Sequence, residues 1–350
     1  MSKNDTSTHP IQTRKAHGLR WLAVALVAAA ALALAACGQD AQTQADYSAA
    51  DPVEVHVASL KGPTSIGLAQ MMDLAAASDD TFHNDFDFQV CGTADEVLPA
   101  LVQGTVDIAC IPANAASVLY AKTGGAVTCL DINTLGVLSV VTADESVNSL
   151  ADLAGHTVYL TGKGTTPEYV TTYLLEKTGV ADEVTLEYKS EATELAALLV
   201  SDPAAICVLP EPYVTSVCAK QPDLAARVSL SDAWDELADE GSRMVTGVTV
   251  VRTEFLESQP LAVAEFLAAQ AASVEAVCAD PDAAGEWVVA AGIMDDATLA
   301  ARAIPSCQLV CLTGAEMQDA LAGYLEVLCA QDAASVGGAV PGDDFYYLGD

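Results

Sequence analysis

Positive charge is scarce in this 350-residue chain: 14 Lys and Arg stand against 48 Asp and Glu, a formal net charge of −34. A protein that grips phosphate backbones needs a basic surface to release counterions, so nucleic-acid binding is excluded. Aromatic residues make up only 5% of the chain and there are five histidines, with no GxSxG or HExxH pattern to organise a nucleophile or a zinc ion. That leaves no catalytic constellation, and the chain is expected not to be an enzyme. Long apolar runs are also lacking apart from Trp21–Ala36, which excludes a polytopic membrane protein. What is abundant is apolar residues, 52% by count with only 23 Gly, too many for a disordered chain and too little glycine for a collagen-like one. At roughly 150 residues per domain the length allows two domains.

Four of the basic residues, Lys3, Arg14, Lys15 and Arg20, lie in the first twenty positions, and sixteen apolar residues and then Cys37-Gly38 follow. A run this short behind a basic leader has the polarity of a secretory signal. Its end, Leu34-Ala35-Ala36-Cys37, resembles the bacterial lipobox, in which the cysteine thiol takes a diacylglycerol before cleavage. The expectation is a signal peptide over 1–36, a lipidated Cys37 beginning a flexible polar tether over 37–51, and an extracytoplasmic body lipid-anchored to the cell membrane. That body carries 10 basic and 47 acidic residues and repels anionic lipid, so attachment has to come from the lipid.

Nine further cysteines, at 91, 110, 129, 207, 218, 278, 307, 311 and 329, leave at least one thiol without an intramolecular partner. None forms a CxxC pair, and Cys307 and Cys311 have no histidine near them, so neither a metal nor a cofactor is expected. They read as small buried hydrophobes with a few disulfides whose pairing the spacing leaves open.

Along the body, short β-rich runs alternate with helical stretches. Val53–Leu60 (VEVHVASL) runs into Lys61-Gly62-Pro63 and a helix over 64–77; FDFQV, VDIACI and AVTCLDI follow, separated by helices. A similar strand, glycine-rich loop and helix starts at Ser149 and continues through VTLEY, AAICVL and the helix from Glu211. Such alternation indicates α/β layers with parallel strand pairs. Extended runs on either side of the second unit point to a hinge between an interrupted first lobe, 52–143 with 247–350, and an inserted second lobe, 144–246. From Phe255 the chain reads as helical and is expected to pack back on the first lobe.

Four segments in this order, KGPTS, VDIACIPANAAS, SLADLAGHTVYLTGKGTTPEYV and VLPEPYVTS, resemble the solute-binding lipoproteins of ABC importers. The branch is the NMT1-like one that handles nitrate, sulfonates, taurine and thiamine-precursor pyrimidines, and the likeness covers about residues 52–280. The resemblance implies a two-lobed type II periplasmic-binding-protein fold, each lobe a mainly parallel sheet flanked by helices, closing on a small-molecule solute. It also implies an ABC permease and its ATPase as partners, and a monomer. A ligand-sensing lipoprotein built on the same clamp is the alternative, followed by an exported enzyme on this fold.

In open α/β sheets ligands collect outside the carboxyl ends of the strands, where helix N-termini present free N–H groups. Candidate ligand-binding residues are therefore Lys61, Gly62, Pro63, Thr64 and Ser65 after the first strand, where glycine allows close approach and the hydroxyls either cap the helix or donate to a ligand. Ala113 and Asn114 end another strand, and Asn114 offers both a donor and an acceptor. In the second lobe Gly162, Lys163, Gly164, Thr165 and Thr166 precede a helix with Pro167 in its first turn; the spacing is not that of a phosphate-binding P-loop. Glu211 starts a helix where the macrodipole favours a carboxylate, and in a cleft it would prefer an amine or hydroxyl. Lys61 and Lys163 favour an anion, so sulfonate-like or nitrate-like anions and amino-pyrimidines both stay open.

Overall fold

The computed structural model describes residues 51–77, 81–161, 163 and 166–349; the expected signal peptide, Cys37, most of the tether, and Gly162, Gly164 and Thr165 lie outside them. The first lobe opens with β1 (Glu54–Leu60), the single turn α1 (Pro63–Ile66), α2 (Ala69–Ala77), β2 (Asp85–Cys91), α3 (Ala94–Gln103), β3 (Ile108–Pro112), α4 (Ala113–Thr123) and β4 (Val127–Leu135). The chain then enters a second sheet through β5 (Leu138–Thr142), β6 (Thr157–Thr161), α5 (Thr166–Thr178), β7 (Thr185–Lys189), α6 (Ala192–Ser201), β8 (Ile206–Pro210), α7 (Tyr213–Lys220), β9 (Ala225–Ser229) and α8 (Leu230–Leu237). It returns along β10 (Val245–Arg252) and ends with α9 (Thr253–Ser258), α10 (Pro260–Ala279), α11 (Pro281–Ala290), α12 (Ala297–Ala303), β11 (Leu309–Leu312) and α13 (Gly314–Gln331).

Local chemistry sets several of these boundaries. Gly62, at φ +110°, turns the chain out of β1, and Pro63 with its fixed φ starts α1. The helix read as continuous over 64–77 is broken at Gly67 and Leu68, and a Cβ on Gly67 would lie 3.0 Å from Val274 on α10. Thr93 and Glu96 cap α3 reciprocally, and Gly104 ends it in the left-handed region.

Two sheets result, ordered β11-β4-β10-β3-β1-β2 and β7-β6-β8-β5-β9. β1 is parallel to β2 and β3, and β6 is parallel to β7 and β8. The edge strand β11 is antiparallel to β4, and within the sheets β10 runs against β3 and β4, and β5 against β8 and β9. β10 and β5 are the strands by which the chain arrives after changing sheets, so each sheet is mixed in its pairings while most strands run one way. The first change of sheet falls earlier than the boundary expected at 143. Leu138–Thr142 is an apolar run that suits either sheet by its periodicity, and its pairing with β8 and β9 puts it in the second. Gly136, between the sheets, is tightly enclosed: a Cβ there would come within 2.8 Å of Met244 Sδ and 2.9 Å of Ser231 Oγ.

The C-terminal third is less purely helical than expected, since β11 adds an edge strand beside β4. α10 carries Phe266, Val274 and Val277 into the core beneath β1 and β3. By length and composition α10 is the one helix among the described residues able to cross a membrane, yet its inner side is packed in this core. α13 reaches further than the first lobe: it packs on β4 and β10 and also along α5, where Tyr324 stacks at 5.5 Å on Trp234, itself 4.8 Å from Tyr173. Beyond α13 the chain straps back over α4 and β4. Ser117 Oγ donates to Val336 O at 2.7 Å, Phe345 packs on Tyr120, and Tyr347 N–H donates to Cys129 O at 2.9 Å. All nine cysteines in this body carry free thiols; five are buried, three half-buried and Cys278 exposed, and no disulfide joins any of them.

Candidate functional site

The loops after β1 and β3 meet at one edge of the first sheet, where Gly247 of β10 pairs with Pro112. Around them the chain leaves few polar atoms free. Thr64 Oγ1 donates to Leu60 O at 3.2 Å, and Ser65 Oγ reaches both Ser59 Oγ, at 2.7 Å, and Leu60 O. Both hydroxyls therefore tie the loop to the end of β1, and neither caps α1. Thr64 and Ser65 are buried, Pro63 is half-buried and Lys61 is exposed. Ala113 is buried, while Asn114 is half-buried in the first turn of α4, a helix whose N-terminus has only Pro112 before it and no side-chain cap. The first-turn N–H groups of α4 are thus left for water or a ligand.

Two residues that hold this edge together went unnoticed in the sequence. A Cβ on Gly247 would lie 2.5 Å from Thr64 Cγ2 and 2.6 Å from Asn133 Oδ1, so only glycine fits there. Asn133 in turn donates from Nδ2 to Thr249 Oγ1 at 3.2 Å and accepts from Thr134 Oγ1 at 2.9 Å. A glycine interrupting VTGVTVV, and an amide inside the wholly buried β4, were the available signals.

In the second lobe Thr166 opens α5 and lies against the buried Tyr324 hydroxyl of α13. Lys163 is exposed, its Nζ 5.4 Å from the ring centre of Tyr188, whose hydroxyl donates to Glu168 Oε1 at 2.6 Å. Glu211 is 6% exposed. Its carboxylate accepts from Thr215 N–H at 3.2 Å and Thr215 Oγ1 at 3.0 Å, and its own N–H donates to Val137 O at 3.0 Å. It therefore caps the start of α7 and anchors the root of the crossing; burial raises its carboxyl above the ordinary range. The residues 61–65 and 112–114 are brought together at one edge, Glu211 sits by the crossing at Val137, and Lys163 turns toward β7.

His56 Nδ1 lies 3.5 Å from Asp87 at the far edge strand, away from either helix start. Among the described residues no group of His, Cys, Asp and Glu is placed to hold a metal ion.

A strand that returns antiparallel in each of two mixed sheets, with helices on their faces, defines the periplasmic-binding-protein fold, and solved structures bear this out. An ABC transporter protein from Parabacteroides distasonis matches with a TM-score of 0.71 and 23% identity over 84% of this chain and 98% of its own. The periplasmic aliphatic sulphonate binding protein SsuA from Escherichia coli matches at 0.67 and 13% identity, covering 85% and 92%. The alkanesulfonate-binding protein SsuA from Xanthomonas axonopodis pv. citri, bound to MOPS, matches at 0.57 and 13% identity over 84% and 96%. The family described as NMT1/THI5 like matches residues 128–284, in agreement with the likeness read from the sequence motifs. No curated protein sequence matches the chain.

Proposed function

We propose that the protein is the extracytoplasmic substrate-binding subunit of an ABC importer, capturing a small polar or anionic solute between its two lobes and delivering it to a membrane permease. The observation that supports this most directly is the uncapped start of α4, beside Asn114, at the edge where β1, β3 and β10 converge near the crossings. Free N–H groups on an eleven-residue helix favour negative charge or polar oxygens. Both Glu211 carboxylate oxygens accept from Thr215, which holds that side chain in place as a helix cap. Titration with alkanesulfonates, nitrate and pyrimidines, followed by thermal unfolding, tests the reading. A true solute at one hundred times its dissociation constant adds about 2.7 kcal/mol of stability. Asn114→Ala is expected to weaken that solute about tenfold while leaving the ligand-free melting temperature within a degree or two, whereas an unchanged affinity would remove Asn114 from the site.

Cys37 is proposed as the lipidation site that holds this subunit at the membrane. Mass spectrometry of the N-terminal peptide is expected to show a diacylglyceryl cysteine, and Cys37→Ser is expected to release the protein from the membrane fraction.

A further inference from the structure

All nine residues of β4 are buried, and in their midst stands Asp131, 0% exposed, with no cation touching it among the described residues. Its Oδ1 accepts from Thr249 Oγ1 at 3.0 Å and from Gln270 Nε2, on α10, at 3.1 Å. Its Oδ2 has no hydrogen-bond partner, and neither has Oε1 of Gln270, a residue 1% exposed. The two orphaned atoms belong to side chains already joined by one hydrogen bond, and both are acceptors unless the acid is protonated. A carboxylate here would leave one oxygen buried and unpaired, which is costly. A proton on Oδ2 would supply the donor that these two acceptors lack.

We infer that Asp131 is a buried proton site, its neutral carboxyl pairing with the Gln270 amide through two hydrogen bonds, Nε2–H to Oδ1 and Oδ2–H to Oε1, and so locking α10 onto the centre of the first sheet. The lock extends outward. Thr249 Oγ1, which donates to Asp131, also accepts from Asn133 Nδ2 at 3.2 Å, and Asn133 lies where Gly247 meets Thr64 beneath the loop after β1.

The titratable groups around the acid are thiols: Cys129 on its own strand, Cys110 on β3 and Cys311 on β11. α10 contributes the neutral Gln270, and β10 the neutral Thr249. Burial raises all three thiols, Cys110 to about 12, so they stay uncharged and neither attract nor expel the proton near neutral pH. Burial likewise pushes the Asp131 carboxyl from 3.8 up to about 8 against the two hydrogen bonds to its oxygen. The folded chain then holds a proton that the unfolded chain has released, so stability falls as pH climbs from about 4 through about 8 and levels off above that.

Asparagine is the isostere of the neutral acid, with Nδ2–H standing in for Oδ2–H. Urea unfolding of the wild type and Asp131→Asn between about pH 5 and pH 9 tests the assignment. The variant is expected to match the wild type at the acid end and to exceed it progressively as pH rises, the other carboxylates contributing equally to both. A variant less stable by a constant amount at every pH would overturn the proton site, as would stabilisation of the wild type alone by added sodium, potassium or ammonium ions. Should the variant fail to fold, the carboxyl ¹³C resonance of Asp131 in the wild type decides. A resonance unmoved until pH approaches 8 supports the assignment, and one titrating near 4 ends it.

Discussion

Single residues at the loop edge carry consequences out of proportion to their size. Gly247 is held between Thr64 and Asn133, and a methyl group there would sit 2.5 Å and 2.6 Å from atoms of those side chains. Thr64 is fixed by its bond to Leu60 O and Asn133 by its bond to Thr249, so neither can yield without breaking a buried contact. Gly247→Ala is therefore expected to cost about 1–3 kcal/mol in urea unfolding, typical of overpacking, and to displace the loop at 61–65. No measurable loss would mean that the loop is looser than these distances indicate. The candidate residues Thr64 and Ser65 were legible in the sequence as a polar pair after a strand, but their role was not. A hydroxyl at such a turn has several acceptors within reach, and only the folded backbone determined that Leu60 O takes both.

Among the elements, the segment after α13 is the one whose structural weight is easiest to overlook. Residues 332–349 contain little regular structure, yet they insert Val336 and Phe345, each 0% exposed, and Tyr346, 6% exposed, against α4 and β4. Ending the chain at Gln331 removes three buried side chains worth roughly 1.5 kcal/mol or more each. Truncation is expected to lower the unfolding free energy by about 4 kcal/mol and to expose Tyr120 and Cys129, with thiol labelling of Cys129 reading the second effect. Strand and helix identities were largely readable: β2 and β6 keep period-2 burial, β3 and β8 are short continuous apolar runs, and these and the helices between them fall where the succession of β-rich and helical stretches places them. β9, α8 and β11 were missed. β9 is a five-residue strand, AARVS, with no fully buried position, and β11 is only four residues long; neither shows a strand's alternation.

At the scale of the whole molecule, the two sheets are joined by crossings at Gly136-Val137 and ahead of Val245, while one continuous core passes between them through Tyr173, Trp234 and Tyr324. Lobes joined by two extended crossings are suited to rigid-body closure on a ligand. Here α13 touches both lobes, with Tyr169 Oη donating to Asp332 Oδ2 at 3.1 Å and Gln331 Nε2 to Glu176 Oε2 at 3.2 Å. Any closing motion therefore has to slide or carry this helix. Two buried acids, Asp131 and Glu211, bind a proton more tightly in the folded chain than in the unfolded one, so both make stability fall with rising pH.

Composition and order of residues by themselves determined the acidic character of the body, the alternation of strands and helices, and the motifs shared with solute-binding proteins, because charge and periodicity are properties of neighbours along the chain. Which sheet Leu138–Thr142 would join, where α13 would lie, and that Asp131, Thr249 and Gln270 would share one buried network were decided only by tertiary structure. Those outcomes depend on contacts between residues distant in the chain, such as Leu138 with Pro210 and Asp131 with Gln270, and on burial that makes a single unpaired oxygen costly.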